Sequence, residues 1–248
     1  MQQDLVVNSE LDVSRFVIFN TPIEKIREAL TANSGDGAVS PTGLVRIRVP
    51  AGGATIWTTQ DAEGERTEKE LMGIVLGYRN RRVYWPSPLE ESPGAAPPSC
   101  HSSNARVGVG QPGGPCCQCR FARFGSDSKG EGQACRLSRE LFLLRETNTL
   151  PEAVVLPRTS IRSSDQYLMR LSTRAIPCYG IVTGISLERV QKSQNMAFSR
   201  TTFNAGCQLA PEQSDRMKEL ASVLQPVFDA APAQVNLTDD RQTSGEII

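Results

Sequence analysis

The chain reads as mostly β, of the α+β class, built on an OB-like Greek-key β-barrel with a few flanking helices and one long insertion. Three observations predict this. Short apolar runs with period-two alternation recur between Gly- and Pro-rich breaks. Only three stretches carry helical spacing. Between Cys100 and Cys135 four cysteines fall into the pattern C-x15-C-x2-C-x15-C, a two-residue knuckle with one cysteine equally far on each side.

In chain order, Val13, Phe16, Val17, Ile18 and Phe19 form a β-rich apolar segment. Thr21-Pro22-Ile23-Glu24 then starts a helix, with a capping Thr, Pro at the first helical position and Glu three residues after the cap. Ile23, Ile26 and Leu30 share its face, and Asn33 to Gly43 is loop. LVRIRVP from Leu44 and ATIWTT, parted by Gly52-Gly53, are strands, and Gln60 to Lys69 is a charged loop. LMGIVLGYRNRRVYW supplies two more strands with a bend near Arg79-Asn80-Arg81. A Pro-rich linker, Pro86 to Pro98, leads into the cysteine stretch.

After Cys135 come the runs LFLLRE and AVVLP, separated by a turn at Thr147-Asn148. Ser163 or Ser164 caps a helix in which Tyr167, Leu168 and Leu171 share a face. CYGIVTGISLERV and AFSRTTFNAGCQLA are strands. Pro211 opens a last helix packed through Met217, Leu220 and Leu224, which Pro226 breaks or kinks. Residues 1–230 are expected to form one domain with its insertion at about 98–136. Residues 231–248 lack periodicity and read as a disordered tail.

The chain has 248 residues with 27 basic and 27 acidic side chains, so no global field draws it to polyanions and any such site must be a local patch. No apolar run reaches membrane-spanning length. Seven cysteines, an odd number with Cys116, Cys117 and Cys119 crowded together, argue against a disulfide framework. With no cleavable hydrophobic leader at Met1 to Leu11, a reducing cytoplasmic compartment is expected.

A thiolate pair two residues apart wraps one face of Zn²⁺, and two more thiolates brought in by loops complete a tetrahedron. Cys100, Cys116, Cys119 and Cys135 are therefore the expected ligands of a structural zinc ion. Cys117 stands as an alternative to Cys116, and His101, the one histidine, as an alternative to Cys100.

Binding of single strands requires cations along the phosphates and aromatic faces for the bases. YRNRRVYW offers both, with Tyr78, Tyr84 and Trp85 interleaved with Arg79, Arg81 and Arg82; an amphipathic strand with surface arginines and core rings is the plainer reading. A second cluster comprises Arg120, Arg123 and Lys129, with Phe121 and Phe124 read as a small core beside the metal. A third set, Arg158, Arg162, Arg170 and Arg174, flanks a strand-to-helix connection. Enzymatic readings fare poorly. Four thiolates leave zinc no open position, the HxE…PCxxC arrangement of deaminases is missing, and neither GK[ST] nor GxSxG occurs.

The succession PxxC, GVGQPGGPCCQC, FGSDSKGEGQAC, LPEAVVLPRTSI, a helix and YGIVTGISLE resembles a group of bacteriophage and mobile-element proteins, zinc-containing OB-fold single-stranded DNA-binding proteins. The resemblance spans Leu71 to Phe228. It implies zinc on Cys100, Cys116, Cys119 and Cys135, with Cys117 departing from the pattern. It also implies single-stranded DNA as ligand, a place in replication or recombination, and host-cell cytoplasm. The tail, with Asp239, Asp240, Glu246 and Ile247-Ile248, could recruit replication or recombination proteins in that setting. The rival expectation is a zinc-stabilised protein-interaction module within a larger assembly.

Overall fold

The computed structural model describes residues 13–33, 44–61, 64–86, 97–128, 130, 132–193 and 196–229. Lys129, the expected tail, most of the loop before Leu44 and the middle of the Pro-rich linker lie outside the described residues.

The expected N-terminal strand is instead a pair of 3-10 turns, Val13–Arg15 and Val17–Asn20. Their backbone bonds are mostly local, Phe16 N–H to Val13 O and Phe19 N–H to Phe16 O, while Val17 N–H reaches Glu146 O at 2.9 Å, so the segment is satisfied without a strand ladder. Helix α1 (Ile23–Asn33) follows. Strand β1 (Arg46–Arg48) precedes a hairpin of β2 (Trp57–Asp61) and β3 (Gly64–Glu68); most of the expected charged loop is thus strand. Strand β4 (Glu70–Tyr84) runs fifteen residues without the expected bend. A register shift between Val75 and Gly77 absorbs the irregularity, and Arg79, Asn80 and Arg81 pair straight across to Glu140, Arg139 and Ser138.

The insertion carries β5 (Cys100–Ser102), β6 (Val107–Gly110), β7 (Gly114–Pro115) and a 3-10 turn at Arg120–Ala122. Then come β8 (Cys135–Leu144), β9 (Glu152–Pro157), α2 (Arg158–Ser172), β10 (Ile181–Ser193), β11 (Met196–Gln208) and α3 (Pro211–Asp229). Helix α2 starts at Arg158, five residues ahead of Ser163 and six ahead of Ser164, directly after Pro157. Helix α3 runs on past Pro226 to Asp229.

Among the described residues nine strands make one mixed sheet with the path β1-β9-β8-β4-β5-β6-β7; β10 joins the edge of β4 at Glu70–Ile74 and carries β11. The mostly-β class with few helices holds. The sheet is not closed into a barrel: three-residue β1, parallel to β9, and two-residue β7 end the path at opposite sides.

Strand alternation gives the sheet two apolar faces. Phe142 and Leu144 of β8 pack with Ile74, Phe16, Ile18, Ile26, Met217, Leu220 and Leu224 beneath α1 and α3. Leu141 and Leu143 pack on the other face with Trp57, Tyr167, Leu171 and Phe203 beneath α2. Hydroxyls clip α2 down: the Tyr167 and Thr183 hydroxyls bond at 2.8 Å, and buried Ser160 Oγ accepts the Thr201 N–H at 3.1 Å. Ser160→Ala, which strands that N–H, is expected to cost about 1–3 kcal/mol in urea unfolding.

Candidate metal and nucleic-acid site

Cys100, Cys116, Cys119 and Cys135 border one small pocket, together with Arg82, Gly108, Gly113, Gly114 and Ala122. Cys100 on β5 and Cys135 at the start of β8 flank Tyr84 of β4 in the ladder, so the sheet itself sets two of the four. Cys116 and Cys119 come from the turn after β7, where Cys119 N–H bonds Cys116 O at 3.3 Å and Cys116 N–H bonds Arg106 O at 2.8 Å. A Cβ at Gly108 would sit 2.9 Å from Cys100 Sγ, so only glycine lets β6 approach this sulfur so closely.

All seven cysteines are free thiols. Cys117 is exposed and away from the pocket, whereas its neighbour Cys116 is buried against it. His101 borders the pocket too, but on β5 it alternates with buried Cys100 and Ser102 and is only half-buried. Among the described residues no group of three His, Cys, Asp or Glu side chains stands in a preformed metal-holding geometry. Burial pushes the Cys135 thiol up to about 11, with the Arg82 guanidinium pulling the other way, and burial raises Cys100 as well.

The residues from YRNRRVYW part company. Arg79 and Arg81 turn inward onto Glu140, which is fully buried; Arg79 Nε and Arg81 Nη1 each donate to it at 2.6 Å, and Arg46 donates as a third. Burial alone would raise the Glu140 carboxyl, yet Arg81, Arg46 and Arg79 together hold it at about 2. Burial pulls Arg81 down to about 10 against the attraction of Glu140. Arg79 also donates to Phe228 O, so it ties the end of α3 to the sheet. These two cations are committed to the interior, and Arg79→Glu or Arg81→Glu would report on folding rather than on strand binding.

The remaining candidates, apart from buried Tyr84, lie nearer the surface. Tyr78 is about half exposed, with the buried Arg139 guanidinium 4.4 Å from its ring centre; Arg139 is held by Asn80, Ser164 and Asp165. Tyr84 is buried and stacks on Phe121 at 4.2 Å, and the Arg120 guanidinium lies 4.6 Å over the same Phe121 ring. Trp85 is half-buried. Arg82 donates to Cys135 O at 3.2 Å and borders the cysteine pocket. Arg120, Arg123, Arg158, Arg162 and Arg170 are exposed.

Phe121 therefore belongs to a small core with Tyr84, Cys100 and Cys135, as expected. Phe124 does not: it is 66% exposed. Sequence reasoning passed over Glu140 and Arg46. The available signal was a single acid heading an apolar run, SRELFLL, opposite a strand with alternate arginines.

Among the described residues no helix is long and apolar enough to cross a membrane. No protein-family model, curated protein or solved structure matches the chain.

Proposed function

We propose that the protein binds single-stranded DNA without sequence preference, on a surface stiffened by a zinc ion, in phage or mobile-element replication or recombination. The observation that carries this reading is a grouping: Arg82 borders the pocket shared by the four cysteines, Arg120 lies over Phe121, which packs with Cys100 and Cys135, and Arg158 lies over the exposed Phe124. Zinc on Cys100, Cys116, Cys119 and Cys135 is part of the proposal. Bound there, it would cross-link β5, β8 and the intervening turn and leave no position for catalysis. Drawing the four thiols in around the cation belongs to the same step. Kinship with OB-type strand binders and a cytoplasmic setting complete the reading.

The chemistry is that of sequence-tolerant binders: guanidiniums take phosphates and rings take bases. Neutral overall charge makes such binding depend on the local patch. Titration of labelled oligo-dT is expected to show affinity falling with salt, with a log–log slope of about −3 for four phosphate contacts. Salt-independent binding, or equal affinity for duplex, would overturn the reading.

One observation favours the protein-interaction alternative. Val107 and Val109, two residues apart on β6 within the insertion, are 57% and 61% exposed. The double variant Arg120→Glu/Arg123→Glu separates the readings. Strand binding collapses if these exposed cations grip DNA and is untouched if the insertion serves a protein partner.

A further inference from the structure

Phe124 sits at the tip of a braced turn. Gly125 follows it at φ +79°, a left-handed conformation suited to glycine, and Gly125 N–H bonds Gly132 O at 2.7 Å. The Ser126 hydroxyl lies within reach of Phe121 O and Arg123 O, at 2.9 and 2.6 Å, and accepts the Ala134 N–H at 3.1 Å. The ring is thus held outward by backbone bonds rather than by apolar packing. An apolar ring left this exposed gains little from folding.

A partner comes from another element. The guanidinium of Arg158, the first residue of α2, lies 4.3 Å from the ring centre and donates to Gln133 Oε1. Gln133 in turn donates to Ala122 O, which ties Arg158 to the loop that carries Phe124. A cation at this place opposes the helix dipole, and α2 has neither an acidic residue in its first turn nor a side-chain cap. Burial lowers the Arg158 guanidinium below its usual value and the charge of Arg82 lowers it further, so a phosphate bound at Arg158 would favour its charged form.

Resting on the strand-binding reading above, we infer that Phe124 and Arg158 form a clamp for one nucleotide of an unpaired strand. The base stacks on the open face of Phe124, and the adjoining phosphate takes the N–H groups that Arg158 does not give to Gln133. The opposite face of the ring stays under the guanidinium, which keeps the platform in place before the strand arrives. The insertion and α2 thereby act as two jaws, and stacking depends on their being held together.

The test uses the full-length chain and its variants Phe124→Leu, Phe124→Trp and Arg158→Gln, each titrated with one labelled oligo-dT at several salt concentrations. Phe124 is exposed, so its substitution leaves the core intact. Phe124→Leu is expected to weaken binding roughly 5- to 150-fold, the range for one stacked base, with the salt slope unchanged. Phe124→Trp should keep or raise affinity. Arg158→Gln should weaken binding and flatten the salt slope by about 0.7, the share of one phosphate. If the native chain binds oligo-dT and Phe124→Leu binds it equally well, the clamp is wrong while the wider reading stands. If the native chain binds no single strand, both fall.

Discussion

Glu140→Ala is expected to lower the free energy of unfolding by about 3–5 kcal/mol, because it leaves the guanidiniums of Arg46, Arg79 and Arg81 buried without their shared carboxylate. Urea unfolding followed by circular dichroism measures this. Glu140→Gln keeps the shape and removes the charge, so it should be nearly as damaging if charge is what matters. The pH dependence follows from the same group. Its folded carboxyl sits at about 2 against an ordinary 4.5, so the unfolded chain binds the extra proton first as pH falls. The stabilisation is fully present above about pH 4.5 and is lost as pH drops through about 2, amounting to about 3 kcal/mol for this one group. In Glu140→Gln that portion of the acid slope should vanish. A variant as stable and as acid-sensitive as the native chain would show that the cluster is ornamental.

Removal of the proposed zinc ion is the second large effect expected. One zinc per chain should be found by elemental analysis of reduced protein, and none in Cys116→Ser or Cys135→Ser. The insertion explains why the consequence is local. Its own core is small: Tyr84, Cys100 and Cys135, with Phe121, Ala122 and Ala134 partly covered. The two large clusters on the main sheet do not draw on it. Chelation should therefore open residues 97–134 to protease while leaving the cooperative unfolding of the sheet in place, and it should reduce oligo-dT affinity at least tenfold, the loss expected when a braced surface must be ordered on binding. Native chain that contains no metal yet resists protease in the insertion would remove zinc from the account.

Much of the element order was legible. Short apolar runs marked β8 and β9, which are buried on both faces, strand-like runs marked β4 and β10, alternation marked β11, and Pro22 and Pro211 announced α1 and α3. The 3-10 turns at Val13–Asn20 were not legible, since an apolar run so short reads the same whether it pairs with a strand or plugs a core. Nor was the unbroken β4, where Arg79-Asn80-Arg81 has turn-like composition but is paired along its whole length.

For the site, local spacing alone was enough to single out four cysteines, and the fold lines all four along one pocket. The two-residue knuckle of Cys116 and Cys119 is a local geometry, whereas Cys100 and Cys135 are brought to the pocket by the pairing of β5 and β8 with β4. The fate of each arginine was decided only by tertiary structure. Arg79 and Arg81 look like Arg82 in sequence, and what separates them is Glu140, fifty-nine or more residues away, placed opposite by strand register. Likewise Phe121 and Phe124 are three residues apart, yet one stacks on Tyr84 and the other meets Arg158 of α2. Composition names the charges and rings available; which of them face water is set by long-range pairing, because burial and ion pairing are properties of neighbours that only the fold supplies.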